Sequence, residues 1–303
     1  WLIPGVVVLL MLIYGAYRAT LFVMLHNEME ALAAQGYPLT LEDMNEWYPR
    51  VPEDENAAPI YLEAFRSLKK PSGEAVDLLP FVGEAEDPDP GERLSTEALA
   101  AARRHLSENE RTLKLLHEAA GMERCRYPVD YRKRQENDYS YIWELPEAAE
   151  LLELEALVHA MDDKSEAAAR SVFSILAAGN SLRNEPSIVS QKERMGMENI
   201  ARDALRRAWA FTRMPEADLA RTTRILKETE KGSTRDVKRA QVGILCWFVG
   251  GQVNLKPLMN GPSGWSARSP RVHSWVGSLQ YRIYRLAGLE EMGLRVLVTD
   301  ATT

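Results

Sequence analysis

The sequence predicts an all-α protein. Apolar residues recur at three- and four-residue spacing through most of the chain. No stretch alternates apolar and polar residues between turn signals, as a half-buried strand requires. Gly, Pro, Asp or Ser stands where each helical run stops. The expected architecture is an N-terminal transmembrane helix followed by an irregular bundle of antiparallel hairpins. The divisions are a membrane anchor at 1–25, an acidic juxtamembrane arm with short helices at 26–94, and a helical body at 95–303.

The anchor rests on "WLIPGVVVLLMLIYGAYRATLFVML", residues 1–25, in which Arg18 is the one charge. About 20 apolar residues in a helix cross a ~30 Å hydrocarbon core. Arg18 lies near one end, where its stem can snorkel. A cleavable signal peptide is the rival, since Ala31-Leu32-Ala33 fits a cleavage site, but His26–Glu30 makes an overlong charged spacer. The missing initiator Met implies residues before Trp1. Between His26 and Asn56 stand eight acids and one base, Arg50. Cytoplasmic flanks favour Lys and Arg, so the body is expected outside the cytoplasm, in the periplasm.

The helix should run on through Ala34 and stop at Gly36, with Pro38 beyond. Thr40 and Asp43 cap a short helix toward Trp47. "ENAAPIYLEAFRSLKK" is a helix closed by Pro71, and the acidic, Pro-rich 83–92 reads as a mobile loop. Ser95 opens one long helix to Gly121, and 124–148 is irregular. Helices follow near 146–161, 164–182, 186–212, 215–230 and 235–249, then a long loop at 251–274 and a last helix near 275–296. "VGILCWFVGG" (242–251) is too short to span a bilayer and reads as a core helix.

"LLELEALVHAMDDKSEAAARSVFSILAAGNSL" resembles a single tetratricopeptide-type hairpin, with no second copy at that family's period. The ordered elements "GYPLT", "ENAA", "CRYPVDY", the "ELPEAAELLELEALVHAMDDKSEAAA" hairpin and "LRNEPSIVSQKERMG" carry a wider resemblance over residues 1–210. The chain is similar to a family of bacterial single-pass, membrane-anchored α-helical proteins that has no assigned activity. The resemblance implies an anchor and a helical body, and no chemistry.

The net charge of −7 hides an asymmetry: residues 1–100 carry 17 acids and six bases, and residues 231–289 carry nine bases and one acid. The two ends can pair within the fold, or the basic end can face anionic lipid. An acidic protein of this kind is not expected to bind nucleic acid. Cys125 and Cys246 form no metal signature and read as two buried thiols, with one bridge as the alternative.

No local catalytic motif occurs. His117-Glu118 lacks the second His of a zincin helix. No cofactor or metal is expected. On 186–211 a helical step places Glu193 and Arg194 within the apolar stripe, and on 146–161 Glu155 and His159 lie along its edge. These four residues are expected to form a buried polar network in which Arg194 meets a carboxylate, Glu155 first and Glu150 second. The Glu–His step is four, where carboxylate-bundle metal sites use three. A possible binding surface is Arg126, Tyr127, Tyr131, Arg132, Lys133 and Arg134. The plainer reading of that segment is aromatic residues plugging the bundle under a solvated loop.

The expected function is a membrane-tethered extracytoplasmic scaffold or accessory subunit of an envelope complex, not an enzyme. It would have the bilayer and envelope proteins as partners. The alternative is an envelope hydrolase with a non-local active site. A scaffold would show an exposed apolar or basic-aromatic patch, and an enzyme a cleft with clustered ionisable groups.

Overall fold

The structure is a computed structural model that describes residues 2–213 with 216, 220 and 224, a few by backbone alone. The expected helices near 215–230, 235–249 and 275–296, the loop at 251–274, the basic run 231–289 and Cys246 lie outside the described residues. Among the described residues the fold is all-α, with one isolated bridge between Asn56 and Arg124 and no strand. They form two compact units, residues 2–47 with 186–188, and residues 48–185 with 189–213.

The first unit opens with α1 (Leu2–Ala34), one continuous helix through the whole apolar segment. Gly36 ends it at φ +80°, a left-handed position that a side chain would strain. The apolar side chains of residues 6–13 are exposed, from 44% at Val7 to 67% at Met11. Among the described residues no helix is long and apolar enough to cross a membrane. Next comes α2 (Leu41–Trp47). Its cap is reciprocal: Asp43 N–H donates to Thr40 Oγ1 at 3.1 Å, and Thr40 N–H donates to Asp43 Oδ2 at 3.0 Å. Both orphan amides are thereby satisfied, as the Thr40–Asp43 spacing predicts.

The second unit contains α3 (Ala58–Ser67), α4 (Ala75–Leu78), α5 (Thr96–Glu108), α6 (Glu110–Ala120), α7 (Tyr141–Met161), α8 (Ser165–Asn180) and, from Val189 on, α9 (Ile188–Trp209). The centre is α7. Leu145, Ala148, Ala149, Leu151, Leu152, Leu154 and Ala156 are all fully buried. A helix buried along so much of its surface must be surrounded, and α3, α5, α6 and α8 pack on it. Residues 151–182, expected as one helical hairpin, form the end of α7 and α8.

Three expectations need correction. The helix expected to run from Ser95 to Gly121 is two helices, broken at Asn109 (φ −103°, ψ 16°). Asn109 Oδ1 accepts from Lys69 N–H at 2.8 Å, and its Nδ2 donates to the carbonyls of Lys69 and His105 at 3.1 Å each. These bonds to a distant segment hold the break, and periodicity along one segment does not report them. The helix expected from 146 begins at Tyr141, with Pro146 inside it. Pro146 removes one backbone donor, but Tyr141, Ile142 and Leu145 are buried and hold the first turns by packing. The loop 83–92 is pinned: Asp87 Oδ1 accepts from Phe81 N–H at 3.1 Å, and Arg207 Nε donates to the Pro88 carbonyl at 2.9 Å.

Candidate functional site

Four of the five acids on α7, Glu147, Glu150, Glu153 and Glu155, meet three different environments. Glu153 and Glu155 are buried, which is costly for a charge without a partner. Glu153 Oε1 sits 2.5 Å from Arg207 Nη1 of α9, and that guanidinium also lies over the Phe81 ring at 5.0 Å. Arg207 thus joins α9, α7 and the 83–92 loop.

Glu155 accepts from His117 Nε2 at 2.9 Å and from Ser171 Oγ at 2.7 Å, and His159 Nε2 lies 3.8 Å from its other oxygen. Burial alone would raise this carboxyl. The bonds from His117, His159 and Ser171 outweigh it and bring Glu155 down to about 2. His117 Nδ1 also bonds Ser174 Oγ at 2.8 Å. The order serine–imidazole–carboxylate is that of a nucleophilic triad. Yet Ser174 is 1% exposed and its hydroxyl also bonds the Arg170 carbonyl, so a substrate carbonyl has no approach. The network ties α6, α7 and α8 together.

Of the four residues expected in one network, Glu155 and His159 lie together, while Arg194 and Glu193 stand apart from them. Arg194 is buried at 2% exposure, as expected. Its partners are a correction: Nε donates to Gln191 Oε1 at 3.0 Å, and Nη1 lies 3.7 Å from Glu198, with neither Glu155 nor Glu150. The helical projection placed Arg194 on the right face. A long side chain then finds its partner along its own helix at i+4, which a projection onto two helices cannot choose. Glu193 is half-buried and belongs to no such network; burial raises its carboxyl against the pull of Lys192.

The basic-aromatic segment divides. Tyr127 and Tyr131 are buried and do not form the expected binding surface. Tyr127 stacks on Tyr141 with centroids 4.0 Å apart. Arg126 lies over the Tyr48 ring at 4.2 Å and donates to the carbonyls of Tyr48 and Pro49. Arg132 and Lys133 are exposed, with Arg132 chelated by Asp130. The Arg134 side chain lies outside the description. Beneath them Glu185 is buried and accepts from Tyr141 Oη at 2.8 Å, Tyr48 Oη at 3.4 Å and Ser190 Oγ. Burial, against these three donors, pushes Glu185 up to about 7. Cys125 is a buried free thiol whose pKa burial raises strongly.

The remaining acids face a cleft of about 110 Å³ lined by Lys69, Lys70, His105, Glu147, Glu150 and the aliphatic Leu68, Pro71, Val82 and Leu151. The Asn109 break shapes it, because Asn109 fixes the backbone of Lys69 and the carbonyl of His105. Lys70 Nζ bonds Glu147 at 2.6 Å, an exposed pair. Burial, then Glu147 and Asp87, push the Glu150 carboxyl up to about 7, with Lys70 pulling the other way. Burial holds the His105 imidazole below its ordinary value, opposed by Glu108. A perturbed acid in a cleft marks a candidate site. Sequence reading missed it because the lining comes from four separate segments without a motif. The available signal was Glu150 itself, an acid among the core-facing residues of α7.

Among the described residues no group of three or more His, Cys, Asp or Glu can hold a metal ion. No family model, curated protein or solved structure matches the chain, so its own geometry carries the functional reading.

Proposed function

We propose that the chain is a membrane-tethered helical scaffold or accessory subunit of a bacterial envelope complex, its body on the extracytoplasmic side. The observation that carries this is the row of exposed apolar side chains at residues 6–13 of α1. On the insertion scale each Val, Leu, Ile or Phe at the bilayer centre contributes about 0.3–0.6 kcal/mol, and such a run left in water invites aggregation. In sequence the run continues through Leu21, Phe22, Val23, Met24 and Leu25, with Arg18 placed to snorkel. The acidic flank from Glu28 to Glu55 supports the extracytoplasmic side. The sealed serine of the His117 chain favours a scaffold over a hydrolase.

Alkaline carbonate extraction of cell membranes tests the tether. The full chain should stay in the pellet, and a chain lacking residues 1–25 should move to the supernatant. Equal distribution of both would overturn the anchor. Protease added outside intact spheroplasts should degrade the body. Gentle detergent solubilisation followed by co-purification should recover stoichiometric envelope partners.

A further inference from the structure

The segment between Leu79 and Ser95 is fixed at both ends and lightly held between them. Leu79 is fully buried, and Ser95 Oγ caps α5 by accepting from Ala98 N–H at 3.1 Å. Of residues 81–93, Pro88 alone is buried. Their backbone amides bond within the segment or reach back to Pro80, Leu79 and Val76 at its base. Among the described residues, one hydrogen bond joins the segment to a distant element: Arg207 Nε of α9 donates to the Pro88 carbonyl at 2.9 Å. The same guanidinium lies over the Phe81 ring and bonds Glu153 of α7. The aromatic contact is reciprocal, because Arg93 of the segment lies over the Phe211 ring, just beyond α9, at 5.4 Å.

Two features oppose closure. Phe81 is held at φ +64°, a left-handed conformation that a bulky side chain rarely adopts. Asp87 brings a like charge toward Glu150 and Glu153, adding to burial in raising both carboxyls. Few buried side chains and a single distant hydrogen bond are the marks of a segment that opens before the rest of a fold. We propose that residues 81–93 form a strap that opens as one unit while the helices stay folded, with Arg207 as its latch. Opening withdraws Phe81 and Val82 from Leu79, Ala102, Leu154 and Val158, and it removes one wall of the cleft beside α7. The strap is independent of the membrane tether.

Hydrogen exchange read by mass spectrometry, on the full chain in detergent with increasing low urea, tests this. Peptides covering 81–93 should exchange through a shared opening that depends little on urea, because it exposes little surface. Peptides of α7 and α8 should exchange through an opening that depends on urea steeply. Arg207→Met removes the guanidinium, and Glu153→Gln is made with it so that no buried charge is orphaned. The double variant should speed exchange of 81–93 by at least about tenfold and leave α8 unchanged. Wild-type strap peptides that exchange only together with α7 and α8 overturn the proposal, a comparison that stands even if the variant fails to fold. So does a folded variant whose strap exchanges at the wild-type rate, or one in which α8 is accelerated as much as the strap.

Discussion

Arg194 shows how a single residue can be foreseen in position and not in partnership. Its side chain is buried on α9, with Cγ beside Gly179 of α8, and its guanidinium is held by Gln191 and faces Glu198, which is itself mostly buried. Removing the cation takes away one buried counter-charge of Glu198, and breaking a buried pair typically costs about 3–5 kcal/mol. Glu198 also lies 3.7 Å from Arg202, which softens the loss. Arg194→Ala should therefore destabilise the fold by about 2–4 kcal/mol in urea denaturation. A double change that also replaces Glu198 by Gln should recover part of it. An unchanged denaturation midpoint for the single variant would show that the buried charge contributes nothing.

At the scale of elements, α8 comes close to α9 at Gly179. A Cβ there would lie 3.2 Å from Met197 Cβ and 3.6 Å from the Arg194 carbonyl. Ala is the better helix former by about 1 kcal/mol. The obstacle is the root of a side chain on a packed helix, so the helices would have to part. Overpacking typically costs about 1–3 kcal/mol, and the clash should win. Gly179→Ala is expected to lower the melting temperature, whereas Gly196→Ala, with open space around its Cβ position, should raise it slightly. Both glycines interrupt helical runs in the sequence, and only the approach of a second helix distinguishes them. The Asn109 break belongs to the same scale. An Asn after a helical run is an ordinary stop signal, but here it acts by bonding a segment some 40 residues away.

Across the second unit as a whole, buried carboxyls shape the response to pH in opposite directions. Glu155 is lowered in the fold from 4.5 to about 2, so its contribution is complete above about pH 4.5 and is lost as pH falls through 2. Glu185 is raised from 4.5 to about 7, so the fold holds that proton more tightly than the unfolded chain does. Its effect is a loss of stability as pH rises from 4.5 through 7, on the order of 3 kcal/mol at 1.36 kcal/mol per unit. Glu150 acts in the same direction. Thermal melting should therefore be highest near pH 5 and decline toward pH 8. Glu185→Gln should flatten the decline while leaving the acid limb to Glu155. A wild-type melting temperature that rises steadily from pH 5 to 8 would contradict this assignment.

The sequence by itself determined the helical class, the end of α1 at Gly36, the Thr40–Asp43 cap, the α7–α8 hairpin and the burial of Arg194. Each of these depends on local spacing: the period of apolar residues, a cap three residues from its amide, a glycine able to adopt positive φ. Tertiary structure alone decided the rest. It cut the 95–121 helix at Asn109, extended α7 backwards through Pro146, buried Tyr127 and Tyr131, gave Glu155 to His117 rather than Arg194, and gathered Lys69, His105 and Glu150 into one cleft. The reason is the range of the forces. Backbone hydrogen bonds and side-chain periodicity act within a few residues. The partner of a buried charge, and the polar groups that meet at a cleft, depend on which distant segments the packing of apolar faces brings together.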